Sequence, residues 1–211
     1  CPLTDGTNRL LSGGHSVVLL HDLGAAHGGA RVPPIREYRR QTNIVRAIVE
    51  LSGGRFASAS IDCTVRIWAL ESGACLATLD EREACVYALA VADDDTLVSG
   101  SWDKTLRVWN TRTYTAVATI DEPSSFVCSL RRLADGTVAS GHDDGVVRLW
   151  DWRRREAVGE LRGHTLIVRG LAQLPDGRLA SVSDDKTVRV WDVAASACVG
   201  VITAPSSLYC C

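Results

Sequence analysis

"SVSDDKTVRVWDV", residues 181–193, has three near copies upstream. They are "SGSWDKTLRVWNT" from Ser99, "SGHDDGVVRLWDW" from Ser140 and "SASIDCTVRIWAL" from Ser58. The copies keep one register: Trp68, Trp109, Trp150 and Trp191 are 41 residues apart. Asp62, Asp103, Asp144 and Asp185 precede them by six residues, and Ser58, Ser99, Ser140 and Ser181 by ten. A fourth column, Val45, Val86, Val127, Val168 and Tyr209, advances by the same step. A fixed period of this length marks a repeat architecture, in which each unit buries its apolar surface against the next.

Inside a unit the pattern is that of strands. "RLASVS" and "KTVRVWD" alternate small or apolar residues with polar ones, the period of a half-buried strand. Asp184-Asp185-Lys186 joins them with turn chemistry, because an aspartate can bond its own backbone. "VRGLAQL", closed by the turn "PDG" at Pro175, precedes them, and "CVGVIT" follows. Four antiparallel strands per repeat and no helical period predict an all-β protein built of four-stranded blades.

These residues resemble the WD-repeat β-propellers over essentially the whole chain. The signatures are Gly163-His164 and the pairs Trp150-Asp151 and Trp191-Asp192, with Trp109-Asn110 and Trp68-Ala69 as drifted copies. The resemblance implies one propeller domain over residues 1–211 and a structural tetrad of His164, Ser181, Asp185 and Trp191. In the other repeats the histidine column reads Gln41, Arg82 and Pro123, so those three networks are expected to be incomplete. Residues 1–40 read as a degenerate first copy: "NRLLSGGHSVVLLHDL" has His21-Asp22 in place of Trp-Asp, and "IREY" supplies an outer strand. At the other end "PSSLYCC" aligns with "PSSFVCS", so the chain stops within a first strand that "CPLTDG" resumes. Two arrangements fit, a five-bladed closure and an arc of a larger ring, and the second is expected. Cys1 opens a chain without methionine or signal peptide, which reads as an interior piece of a longer protein.

Composition limits the function classes. A net charge of −2 gives no whole-domain attraction to nucleic acid, and the arginines of Arg31 to Arg40 read as a solvated loop. No apolar run approaches the ~18–20 residues of a membrane span. Eight cysteines include no C-x-x-C pair, and Cys75 and Cys198 hold the same place in different repeats. They are expected to be free, buried thiols of an intracellular protein, cytoplasmic or nuclear. His164, Ser181 and Asp185 spell a triad superficially. Yet the serine and aspartate recur in repeats without the histidine, which is structural behaviour. His15, His21, His27 and His142 lack metal-ligand spacing, and there is no glycine-rich phosphate loop. No cofactor, metal or catalytic residue is expected.

Function is therefore expected where the copies differ. The resemblance places two variable columns on one narrow face, the top: Arg46, Tyr87, Cys128 and Arg169, and Ile61, Trp102, Asp143 and Asp184. Trp102 is the outlier. It is read either as a contact for a protein or peptide partner, with Tyr87 and Arg169, or as packing on a neighbouring blade. The partner reading makes the chain a non-catalytic scaffold. A second reading rests on "WDWR", Trp150 to Arg153, which resembles the W-D-x-R box of substrate receptors in cullin-RING ubiquitin ligases. There Arg153 would contact a carboxylate of the ligase adaptor.

Overall fold

The computed structural model describes residues 1–4, 6–25, 32–79, 84–121 and 125–206. The expectations at His27, Arg82, Pro123, Tyr209, Cys210 and Cys211 lie outside them. Eighteen strands form five antiparallel blades, and the only other regular element described is a 3₁₀ turn at Leu23–Ala25.

Blade 1 holds β1 (Arg9–Gly13), β2 (His15–Asp22) and the first half of β3 (Pro34–Leu51). The segment before β1 pairs with it too, through Leu11 N to Cys1 O (2.9 Å) and the Pro2–Leu10 bridge. Blade 2 takes the second half of β3, then β4 (Arg55–Ser60), β5 (Val65–Ala69) and β6 (Cys75–Leu79). Blade 3 is β7 (Val86–Asp93), β8 (Thr96–Ser101), β9 (Leu106–Asn110) and β10 (Thr115–Ile120). Blade 4 is β11 (Val127–Arg132), β12 (Val138–His142), β13 (Val147–Asp151) and β14 (Glu156–Leu161). Blade 5 is β15 (Val168–Gln173), β16 (Leu179–Ser183), β17 (Thr187–Asp192) and β18 (Ala197–Thr203).

The core lies between blades. Blade 2 packs Ala57, Val65, Ile67 and Leu79 on Val86, Leu97 and Trp109 of blade 3. Val98, Leu106, Val108 and Ile120 of blade 3 meet Val127, Val138 and Trp150, and Val147, Leu149 and Leu161 of blade 4 meet Val168, Leu179 and Trp191. Blade 1 has no repeat tryptophan but contributes Tyr38. Its ring lies edge-on to Phe56 (4.7 Å) and Trp68 (5.7 Å), and its hydroxyl donates to Leu70 O (2.7 Å). Burial pushes the Tyr38 phenol up to about 12.

The strand period differs from the half-buried expectation in the middle of blades. β4, β8 and β12 are almost wholly buried, since neighbouring blades cover both faces of the strand. β16 and β17 are only partly buried, because the face of Ala180, Val182, Val188 and Val190 has no blade against it among the described residues. First strands pack in succession, β3 on β7, β7 on β11 and β11 on β15. No strand of blade 5 packs comparably on blade 1, although Thr4, Val49, Leu130 and Gln173 line one cavity of about 610 Å³ along the common axis.

Candidate partner-binding face

The repeated polar residues are consumed inside the blades. In blade 5 the Trp191 indole donates to Ser181 Oγ (2.7 Å), and Ser181 Oγ lies 2.7 Å from His164 Nε2. His164 Nδ1 lies 2.8 Å from Asp185 Oδ2, and Thr187 Oγ1 donates to Asp185 Oδ1 (2.6 Å). Burial lowers the pKa of His164, against the upward pull of Asp185, so the ring is neutral at pH 7 with its proton on the nitrogen facing the carboxylate. Burial alone would raise the Asp185 carboxyl. Hydrogen bonds from Thr187, His164 and the Thr165 backbone outweigh it and hold the group at about 2. Ser181 is fully buried and already shared between an indole and an imidazole, so it is no exposed nucleophile.

Blade 4 corrects one expectation. Its network is complete, although its histidine does not come from the expected column. His142, two residues after Ser140, places Nε2 2.7 Å from Ser140 Oγ, which accepts the Trp150 indole N–H (2.7 Å). His142 Nδ1 reaches Ser125 Oγ (3.1 Å), and Arg148 links Ser125 (3.2 Å) to Asp144 (2.8 Å). His142 stands where blades 2, 3 and 5 have Ser60, Ser101 and Ser183, whose hydroxyls donate to the backbone carbonyls of Asn43, Cys85 and Leu166. A longer side chain at one strand position thus serves both columns. Blade 2 is incomplete, as expected. Trp68 donates to Ser58 Oγ (2.9 Å), but Gln41 offers only Nε2 to Ser58 O (3.4 Å) and leaves its own buried Oε1 unpaired. In blade 1 His21 replaces the indole, with Nε2 3.0 Å from Ser12 Oγ.

One end of the blades carries the four turns that hold these aspartates. Each turn is pinned to the backbone two residues ahead of the bulge in its own first strand: Ile61 N to Ile44 O, Trp102 N to Cys85 O, Asp143 N to Phe126 O and Asp184 N to Ile167 O (3.0–3.2 Å). Here all eight residues of the two variable columns come together. Each first strand also shifts register around one residue, namely Arg46, Tyr87, Cys128 or Arg169. A bulge re-aims its extra residue out of the ladder, so one whole expected column is a column of bulges.

The eight residues have different fates. Tyr87 and Trp102 stack at 4.5 Å with 9° between planes, and Trp102 stacks on Phe126 of blade 4 at 5.3 Å and 18°. Trp102 thus packs across blades, as the second reading expects, and 38% of it is exposed. The Arg46 guanidinium lies over the Tyr87 ring at 4.7 Å and donates to its hydroxyl (3.3 Å). Arg169 instead grips Asp184 through Nε and Nη2 (2.7–3.2 Å), so these two charges compensate each other. Asp143 Oδ1 accepts the Phe126 N–H (2.7 Å), and Ile61 is half-buried in its turn. Burial, with Asp143 nearby, pushes the Cys128 thiol up to about 11, which keeps it protonated.

Two residues of this face escaped the sequence: Phe126, and Lys104, whose Nζ sits 5.7 Å from the Phe126 ring. Lys104 has a positive φ of 67°, a position it shares with Cys63, Gly145 and Lys186. Only the chemical variation at that position, lysine against cysteine and glycine, was there to be read.

Arg153 lies at the opposite end. Its guanidinium covers the Trp152 ring (4.3 Å), and Nη2 is 3.7 Å from Asp93 of blade 3. Cys63, Cys75, Cys85, Cys128 and Cys198 form no disulfide. The expectation that the thiols are buried needs correction: four of these five are half-buried and Cys198 is exposed, because it sits on the outer strand β18. Among the described residues no group of three or more His, Cys, Asp or Glu is placed to hold a metal, and no helix is long and apolar enough to cross a membrane.

Antiparallel blades packed in succession, the four from blade 2 to blade 5 each four-stranded and each with an indole–serine bond, define a β-propeller repeat protein. A family model described as "WD domain, G-beta repeat" matches residues 33–69, 73–110, 114–151 and 155–192, and the chain belongs to this WD-repeat family. The match omits residues 1–32, most of blade 1, where histidine replaces tryptophan. No curated protein matches the chain. WD repeats generally mediate protein–protein interactions.

Proposed function

We propose that residues 1–211 act as one non-catalytic domain, a rigid intracellular scaffold that holds protein partners on the turn-bearing face. The observation that carries this reading is the half-exposed Trp102, stacked between Tyr87 and Phe126 at the end where blades 2 to 5 each carry a bulged residue. Rigid aromatic and arginine side chains dominate binding energy at protein interfaces, since they bury much area for little lost side-chain freedom. Arg46 and Tyr87 belong to the centre of this contact. Ile61, Asp143, Arg169 and Asp184 shape its rim, and the buried His164, Ser181, Asp185 and Trp191 supply rigidity.

The ligase reading gains no support from Arg153, whose guanidinium is engaged with Trp152 and Asp93. The test is affinity capture with quantitative mass spectrometry, using the chain, a Tyr87→Ala/Trp102→Ala variant and an Arg153→Ala variant of matched thermal stability. The expected result is a partner set lost with the double variant and kept with Arg153→Ala. The same set retained by the double variant would refute this face as the site. Loss confined to Arg153→Ala, with a ligase adaptor among the missing proteins, would favour the second reading.

A further inference from the structure

The turn face presents an ordered ridge: Arg46, Tyr87, Trp102, Phe126 and Lys104, joined by contacts of 4.7, 4.5, 5.3 and 5.7 Å. Its hydrogen-bonding capacity is one-sided. Arg46 and Lys104 are exposed and make no ion pair among the described residues. The Trp102 indole N–H, a donor only, has no partner among the described residues. The neighbouring acceptors are already committed. Asp62 takes the N–H groups of Thr42 and Thr64, and Asp103 takes Thr105. Asp143 takes Phe126 and Asp184 takes Arg169. The ridge therefore offers two cations and an indole N–H over an apolar surface.

Resting on the proposal that this face is the binding face, we propose that the ridge docks a short acidic peptide. Its carboxylates pair with Arg46 and Lys104, and a main-chain carbonyl between them accepts the Trp102 N–H. An arginine stacked on a ring still presents its edge N–H groups to a carboxylate, so the Tyr87 contact orients Arg46 without consuming it. At ~3.4 Å per residue, an extended segment of about six residues covers four steps of this size. A nucleic acid fits less well. Trp102 lies between two near-parallel rings, so neither indole face is open to a base.

The test is selection of random hexapeptides displayed on phage against the purified chain at physiological salt. Parallel selections use Arg46→Gln/Lys104→Gln and Tyr87→Ala/Trp102→Ala variants of unchanged melting temperature. Synthetic copies of the winners are then measured by fluorescence anisotropy beside a labelled 12-mer of uridine. The expected result is enrichment of Asp and Glu, with affinity about five- to tenfold weaker on the glutamine variant and falling with salt. Winners without acidic residues that still need Tyr87 and Trp102 would overturn this inference and leave the binding face standing. No winners, or winners indifferent to both variants, would remove both. Tighter binding of the uridine 12-mer than of any peptide would overturn the choice of partner.

Discussion

Leu79, Ile120, Leu161 and Ile202 occupy one position in four successive blades, at the end of the outer strand, and their surroundings differ sharply. Leu79, Ile120 and Leu161 are 4%, 3% and 0% exposed because the next blade covers them, whereas Ile202 is 61% exposed. Leu161 belongs to the cluster that joins blade 4 to Val168, Leu179 and Trp191 of blade 5. Leu161→Ala removes buried methyl groups and leaves a cavity in that joint, a cost of ~2–5 kcal/mol. For a chain of 211 residues each kcal/mol shifts the melting temperature by about 2–4 °C. The expected loss is therefore roughly 6–12 °C for a mid-range cost of ~3 kcal/mol. Ile202→Ala gives up contacts that water already shares, and less than ~0.5 kcal/mol is expected. Thermal unfolding by circular dichroism, with urea titration for the free energies, compares the two. Ile120→Ala serves as a second buried reference. Equal costs at Leu161 and Ile202 would refute the reasoning, since Ile202 would then be covered in solution. Repeating the melts over a hundredfold range of concentration would tell closure within one chain from association of two.

Gln41→His places an imidazole where blade 5 has His164, in reach of Ser58 and Asp62. It is expected to add two hydrogen bonds and stabilise by about 0.5–1.5 kcal/mol, seen as a higher urea midpoint; unchanged or lower stability would mean the loop cannot seat the ring. Acid should weaken the fold in two windows. His142 is lowered to about 4, by burial first and then by Arg148. The unfolded chain therefore binds the proton first, and stability is lost as the pH falls from 6.5 through 4, on the order of 3 kcal/mol in full, with His164 adding in the same direction. Asp185, held at about 2, and Asp144, also lowered, keep their contribution above their unfolded values near 3.8 and lose it below. Urea midpoints at pH 7.5, 5.5 and 4.5 measure the first window, and His142→Ser should flatten it. An unchanged slope in that variant would mean that His142 is not the group responsible.

What the sequence made legible is what recurs. The Trp, Ser, Asp and Val columns foretold the strands, the turns and the indole–serine bonds, since each blade meets the same packing problem at the same place. The family resemblance, not the columns themselves, is what put the two variable columns on one face, and the bulged residues lie in one of them. Three features did not recur and were not legible. His142 completes its network from a serine column, a substitution that makes sense only once the strand brings it within reach of both Ser140 and Ser125. Arg169 and Asp184 are bonded to each other, a pairing fixed by side-chain geometry that the columns do not encode. β3 runs unbroken from the outer edge of blade 1 into the first strand of blade 2. "IREYRRQTNIVRAIVEL", from Ile35, contains no glycine or further proline to interrupt it, although the repeat places a blade boundary within it.

The open face of blade 5 differs from its counterparts in shape as well as exposure. Gly13, Ala59, Gly100, Gly141 and Val182 share one position on successive blades. A Cβ added to Gly13 would lie 2.9 Å from Val45 Cγ1 of the next blade. One on Gly100 would lie 2.3 Å from Val127 Cγ1, and one on Gly141 2.6 Å from Val168 Cγ1. The small residue is thus the hole that receives the next blade's first-strand valine, and at Gly100 and Gly141 it has no room for a methyl group. Val182 fills that hole in blade 5. A blade approaching it as blade 5 approaches blade 4 would drive its own valine into the Val182 isopropyl group. The face of Ala180, Val182, Val188, Val190 and Ile202 is apolar like the others but carries a knob where they carry a socket, so whatever covers it must meet it in a different register.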